Sequence, residues 1–421
     1  MLMKKLFALL ILVFLTLDIY AQVISQWRGP NRDGVYPETG LLTAWPAEGP
    51  ALLWSAPGIG KGYSSAVSDG NVLFVTGMKD STDYLTSMNL KGEILWQVPF
   101  GPSWNSSFPE TRSTPTVEDG SVYVLSGLGT IASINAADGK INWKLNATGK
   151  FGAVYGEWGV CESLLLVDNM VIYTPAGPKT SMVALDKKTG ETIWQSESLN
   201  DTSAYVSPRL IQYGSQRVIV TMMANNLIGV DPASGKILWK YDYAALMPER
   251  SLKVWPGAPK TNTITPLYKD GFFYITGGYD HVGVMFRLSD QAASINLVWT
   301  DTVLDCHHGG VVLVDDHIYG ANWIDNSRGN WCCIDWKTGK KSWEQKWQTK
   351  GSIIAADGML YLYDEKNGNV GLLKPDPAKF DLICSFKIAG GKGPNWAHPE
   401  IKNGILYIRH GDLLMAYDIR K

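Results

Sequence analysis

One phrase, a strand, a tight turn and a second strand ending in tryptophan, recurs down this chain and constrains its fold more than any other feature. The fullest copy is Val183-Ala184-Leu185-Asp186-Lys187-Lys188-Thr189-Gly190-Glu191-Thr192-Ile193-Trp194. Its first half alternates as a half-buried strand does. Lys187 to Gly190 is turn chemistry, with Gly190 free to take positive φ. The phrase returns around Asp138-Gly139 before Trp143, around Ser234-Gly235 before Trp239, and around Thr338-Gly339 before Trp343. Looser copies end at Trp96, Trp299 and Phe386. A second hairpin signal precedes each copy, as at Asp69-Gly70, Asp119-Gly120, Asp270-Gly271 and Asp357-Gly358. One unit is therefore four short strands, repeating at about 40–50 residues, the period of a propeller blade.

The ends complete the count. The last unit, Ile405 to Ile419, lacks a Trp strand, and Leu52-Leu53-Trp54 supplies an orphan one. Pairing the two removes the open edge of the ring. The expected fold is all-β: an eight-bladed β-propeller of four-stranded antiparallel blades, with seven blades as the rival count. The Ala184-x-Asp186-x-x-Thr189-Gly190-x-x-x-Trp194 phrase resembles the blade-docking motif of the PQQ-like (pyrroloquinoline-quinone-like) β-propeller repeat superfamily, and the resemblance covers nearly the whole mature chain. The opening Gln26-Trp27-Arg28-Gly29-Pro30-Asn31-Arg32-Asp33-Gly34 resembles its secreted members. The resemblance implies three kinds of function: quinoprotein dehydrogenase, non-catalytic assembly factor, or an activity of its own.

At the N-terminus, Lys4-Lys5 precede an apolar run from Leu6 to Leu17, with Ala21 before Gln22. This reads as a cleavable signal peptide over residues 1–21, too short for a membrane span. No Cys near that point offers a lipid anchor. The expected organisation is a strap over 22–50 and one propeller domain over 51–421. The mature protein is then periplasmic or secreted, with no integral membrane segment. A net charge of −2 gives no basic footprint for nucleic acid. Of five cysteines, Cys332 and Cys333 are adjacent. The resemblance implies a disulfide between such neighbours beside a quinone, whereas neighbours on a strand point to opposite faces. No spacing suggests zinc. Two stretches break the rhythm, Gln97 to Arg112 and Tyr241 to Thr263.

Propeller geometry turns sequence position into space. The segment joining one blade's outer strand to the next blade's inner strand arrives at one mouth of the central channel. Reading that position in each unit collects Lys61, Tyr63, Arg112, Tyr155, Glu157, Trp158, Tyr205, Asn262, His307, His308, Lys350, Trp396 and His398. A purely structural channel needs none of these titratable groups. His307, His308, His398, Tyr155 and Glu157 are the expected acid–base groups. Arg112, Lys61, Tyr63, Trp158, Tyr205, Asn262 and Trp396 are the expected substrate contacts. No metal ligands are assigned.

Arginine to hold a carboxylate, tryptophan to stack on sugar rings, and histidine to move protons suit β-elimination on an acidic, uronic-acid-containing oligosaccharide, as a lyase or dehydratase. Glu157 alone does not give the paired carboxylates of a glycosidase. The competing readings are a non-catalytic envelope scaffold with a protein partner and a PQQ-dependent alcohol or sugar dehydrogenase. No cofactor is required by the first reading; PQQ or a divalent metal belongs to the last.

Overall fold

The computed structural model describes residues 24–248 and 260–421. The expected signal peptide lies outside the described residues, as does the middle of the 241–263 stretch. Eight four-stranded antiparallel sheets form the ring. Blade 1 begins at its inner strand Val67–Ser68, blade 2 at Thr116–Glu118, blade 3 at Leu165–Val167 and blade 4 at Arg209–Tyr213. Blade 5 begins at Leu267–Lys269, blade 6 at Val311–Val314 and blade 7 at Gly351–Ala356. Blade 8 takes Glu400–Lys402, Ile405–His410 and Leu413–Asp418 from the C-terminal end and Ala51–Pro57 from the N-terminal end. Trp54 pairs opposite Ala416. Eight blades, closed by the orphan strand, is the count that stands.

The recurring phrase has a mechanical explanation. Asp186 Oδ1 accepts the backbone N–H groups of Lys188 and Thr189, both at 2.9 Å, and so tightens the turn. The turn leaves Gly190 at φ 72°. Trp143, from the preceding blade, lies flat against that glycine: a Cβ there would sit 2.7 Å from the indole. The Trp143 Nε1–H then donates to Lys187 O at 2.8 Å. Gly92 receives Trp54 and Gly339 receives Trp299 in the same way. The scheme survives the chain break in blade 8, where Phe386 packs against Gly49, just ahead of the closing strand. Each tryptophan thus locks its blade to the next and buries a large apolar ring. Between blades, buried clusters such as Val218, Phe273 and Phe286 fill the core.

Cys332 and Cys333 sit on the third strand of blade 6, both buried and unbonded. Cys332 packs among blade 5 residues and Cys333 among those of blade 7. The only α-helix among the described residues is Ala147–Phe151, capped by Asn146.

Within the expected 22–50 strap, residues 24–36 enter the channel. Ser25 pairs with Val117 of blade 2, and Val35–Tyr36 runs parallel to Ala355–Ala356 of blade 7. Residues 38–41 then lie on the face away from the mouth, where Asp357 accepts the Leu41 N–H and Glu38 that of Gly404. The described segment is thus a hairpin-like plug, with Ser25 beside blade 2 on one arm and Val35–Tyr36 beside blade 7 on the other. Two arginines hold it. Arg28 donates to Ile353 O at 3.0 Å and Val311 O at 2.7 Å. Arg32 donates to Ser163 O, Leu164 O and Pro208 O. Both are 2% exposed. Inner strands end in carbonyls that no neighbouring strand pairs, and guanidinium donors satisfy several at once. The Arg28-Gly29-Pro30-Asn31-Arg32-Asp33-Gly34 turn is the sequence signature of this plug.

Candidate functional site

Within each blade the first strand runs away from the mouth and the second returns to it. The mouth is therefore built from two sets of loops: the connectors into each blade, and the turns between its second and third strands. Together with the tip of the plug they surround a pit of about 280 Å³ on the axis.

Eight residues expected at the mouth line this pit: Tyr63, Arg112, Trp158, Tyr205, His307, His308, Trp396 and His398. Five expected residues do not; one, Lys350, is buried in the relay described below. Lys61 is exposed and only its backbone is engaged, with Met78. Glu157 is exposed. Tyr155 packs edge-on to Trp104 at 6.2 Å. Asn262 is buried and spends its amide on Met223 O and Ala224 O, so it braces the connector. The sequence reading also passed over several lining residues. Tyr279, Asn326 and Glu365 come from the second-to-third-strand turns, Phe108 from the 97–112 loop, and Trp27 from the plug. The available signal was the position of those turns within each repeat, midway between the Asp-Gly turn and the docking phrase.

The pit has two contrasting walls. On one side stand rings. Trp396 packs against Tyr63 at 4.8 Å and Phe108 at 5.8 Å, and Trp158 against Tyr205 at 5.6 Å. The Arg112 guanidinium lies over Tyr63 at 5.6 Å and donates to Glu110 O and Phe108 O, which fixes the loop it belongs to. Burial raises the Tyr63 and Tyr205 phenols to about 12, so both remain protonated donors at neutral pH.

On the other side stands a polar relay. Lys350, 2% exposed, donates to Glu365 Oε1 at 2.5 Å. Glu365 Oε2 lies 3.1 Å from His308 Nε2. Burial alone would raise the Glu365 carboxyl, but His308 and Lys350 outweigh it and hold the group below the usual range. His308 Nε2 thus lies within ion-pair distance of a carboxylate, and among the described residues its Nδ1 has no hydrogen-bond partner. That is the arrangement of a base oriented by a third group. His307, beside it at 4.6 Å between ring centres, meets Tyr279 OH through Nε2 at 2.9 Å. Burial and then the charges of His308 and Lys350 keep His307 neutral, well below the usual histidine range.

His398, expected as an acid–base group, has both ring nitrogens engaged. Its Nδ1 accepts from Arg28 at 2.9 Å, because arginine can only donate. Its Nε2–H therefore donates to His308 O, also at 2.9 Å. Both nitrogens are engaged, and burial followed by Arg28 depresses its pKa strongly. His398 couples the plug to the His308 backbone.

The adjacent cysteines lie between blades and do not line the pit. Among the described residues no group of three or more His, Cys, Asp or Glu is placed to hold a metal ion. The plug side chains occupy the axis below the pit. These residues do not fit a metal-assisted quinone.

A family model described as outer membrane protein assembly factor BamB matches residues 81–345. Two curated relatives bear that same name. The Yersinia pestis protein is 23% identical over 246 residues, covering 54% of this chain and 58% of its own. The Kangiella koreensis protein is 27% identical over 183 residues, 42% of each chain. The chain thus spans about half the length of the curated relatives it matches. Among solved structures, BamB from Moraxella catarrhalis superposes with a TM-score of 0.61 at 15% identity, over 88% of this chain and 99% of that one. Quinohemoprotein alcohol dehydrogenase from Comamonas testosteroni gives 0.67 at 11% identity, over 93% and 79%. At these identities the structural likeness speaks for the fold alone.

Proposed function

We propose, from the premise that this chain belongs to the family described as outer membrane protein assembly factor BamB, that it is a cell-envelope binding propeller whose working site is the mouth pit. The ligand is a carbohydrate bearing a carboxylate. The observation that carries this reading is the composition of one site: packed aromatic rings, a His308–Glu365–Lys350 relay, and Arg112 over the Tyr63 ring. Rings suit the apolar faces of sugars, Arg112 suits an anionic group, and tyrosine and histidine suit hydroxyls. Calorimetric titration with soluble oligouronates tests it. Saturable heat that disappears in Trp396→Ala supports the reading, and no heat from any acidic oligosaccharide sinks it.

Turnover at the same site is a second reading, favoured by the oriented His308. His308 would take the proton α to the carboxylate, Arg112 would neutralise the enolate-like charge, and a protonated wall tyrosine would return a proton to the leaving oxygen. Such a step creates a conjugated double bond, read by ultraviolet absorbance. Persistent binding without that absorbance leaves a binding protein.

The names of the relatives favour a third reading, a scaffold for envelope proteins. Its test is capture of envelope proteins by the intact propeller in the presence and absence of Trp396→Ala. Capture indifferent to the pit would place the working surface elsewhere.

A further inference from the structure

The plug changes what shape of ligand the pit can accept. A chain bound across a propeller axis needs a groove open at both sides, or a channel open at both faces. Here the tip of the plug supplies Trp27 to the pit, and Arg28 fixes that tip through Ile353 O, Val311 O, Asp33 O and His398. Beyond that tip, Val35–Tyr36 carries the chain along blade 7 to the far face. The pit is therefore closed below and open only at the mouth.

A second observation lies at the lip. Phe108 is 57% exposed, an unusual state for a phenylalanine beside a cavity. Its backbone is in the left-handed region at φ 45°, and Glu110 is at φ 105°. Such conformations are strained in residues with a side chain and persist only where their surroundings impose them. Here Arg112 imposes this one by donating to the carbonyls of both residues. The Phe108 ring is held against Trp396 with much of its surface facing solvent.

Resting on the carbohydrate reading above, we infer that the pit recognises a chain end: one terminal sugar enters it, and the next residue of the chain lies on Phe108 at the lip. The ligand class is the terminus of an acidic oligosaccharide, and interior segments are refused.

The test uses the intact protein and an oligogalacturonate series from monomer to hexamer. A second set has either the reducing or the non-reducing terminal residue blocked by a bulky substituent. Blocking one particular end should cost at least tenfold in affinity, and blocking the other should cost little. Affinity should rise from monomer to dimer and then level off. Phe108→Ala, an exposed position whose loss spares the core, should cost the dimer about tenfold and the monomer less. Chains blocked at both ends that bind as tightly as free ones would overturn end recognition while leaving the carbohydrate reading intact. Affinity that keeps climbing with length past the dimer would do the same. Absence of binding by every member would overturn both.

Discussion

The rim and the mouth of this propeller are built from the same eight blades by opposite rules. At the rim, near-identical contacts recur: an Asp-capped turn, a glycine without room for a Cβ, and an indole from the preceding blade laid on it. At the mouth, each blade contributes something different. Blade 7 gives Glu365 and Lys350, the connector into blade 6 gives two histidines, and that into blade 1 gives Tyr63. Repetition at the rim supplies stability without specificity; variation at the mouth supplies specificity from loops that the rim holds still. The comparison implies that damage to the rim is read as lost stability and damage to the pit as lost binding.

Substitutions sharpen or break that division. The largest stability loss is expected from Gly190→Val, which combines positive φ with a collision against Trp143, about 3–5 kcal/mol together. Gly120→Val is its control: φ is 69° but nothing lies within 4 Å, so only about 1–2 kcal/mol is expected. Thermal unfolding of both variants checks this, and equal losses would deny the stacked indole its role. Arg28→Met is the substitution that should break the division. It strands the carbonyls of Val311 and Ile353 and loosens the floor, costing about 2–4 kcal/mol and ligand affinity together.

His308→Gln should do the reverse of Gly190→Val. Its stability change is expected below about 1 kcal/mol, while affinity or turnover falls by about tenfold or more. Parallel melting and titration would show the split. The plug also predicts a pH signature. Burial raises the Glu400 carboxyl, bonded to Tyr36 OH at 2.7 Å, to about 8. The folded state keeps a proton that the unfolded chain releases near the ordinary glutamate value. Stability from this group is therefore full below that value and is lost as pH rises toward 8. Glu400→Gln should flatten that decline, visible in melting curves between pH 5 and about 8.5. The smallest effect is expected for Glu157→Gln and Lys61→Met, both exposed and outside the pit: within about 0.5 kcal/mol and without change in binding.

The rim was legible in the sequence because periodic contacts leave periodic residues. The docking phrase gave the blade count and the closing strand, even where Phe386 replaces tryptophan. The mouth was legible only in part. Placing the connectors there found Tyr63, Trp396 and the histidine pair, because strand order alone sends them to that face. Glu365 and Tyr279 escaped because the returning turns were not read with the same rule. Asn262 and His398 were placed near the axis as expected, yet the Asn262 amide serves two backbone carbonyls and His398 joins Arg28 to the His308 carbonyl, and no sequence pattern distinguishes a bracing side chain from a binding one. The plug was hidden for a different reason: its partners are carbonyls of distant inner strands, and a carbonyl has no residue type.

Ala51–Pro57 pairs with Leu413–Asp418, and Arg28 reaches blades 6 and 7. Residues 24–57 are thus joined to strands hundreds of positions further along the chain. Contacts so distant in sequence carry a large loop-closure cost before they repay it, which slows folding. Until the last strand emerges, Ala51–Pro57 has no partner edge, and the plug has no finished socket. Without Leu413–Asp418, Ala51–Pro57 keeps an unpaired edge, a surface that invites association with other chains. Docking of residues 24–57 is therefore expected to complete late in folding, after the distant strands that hold it have formed.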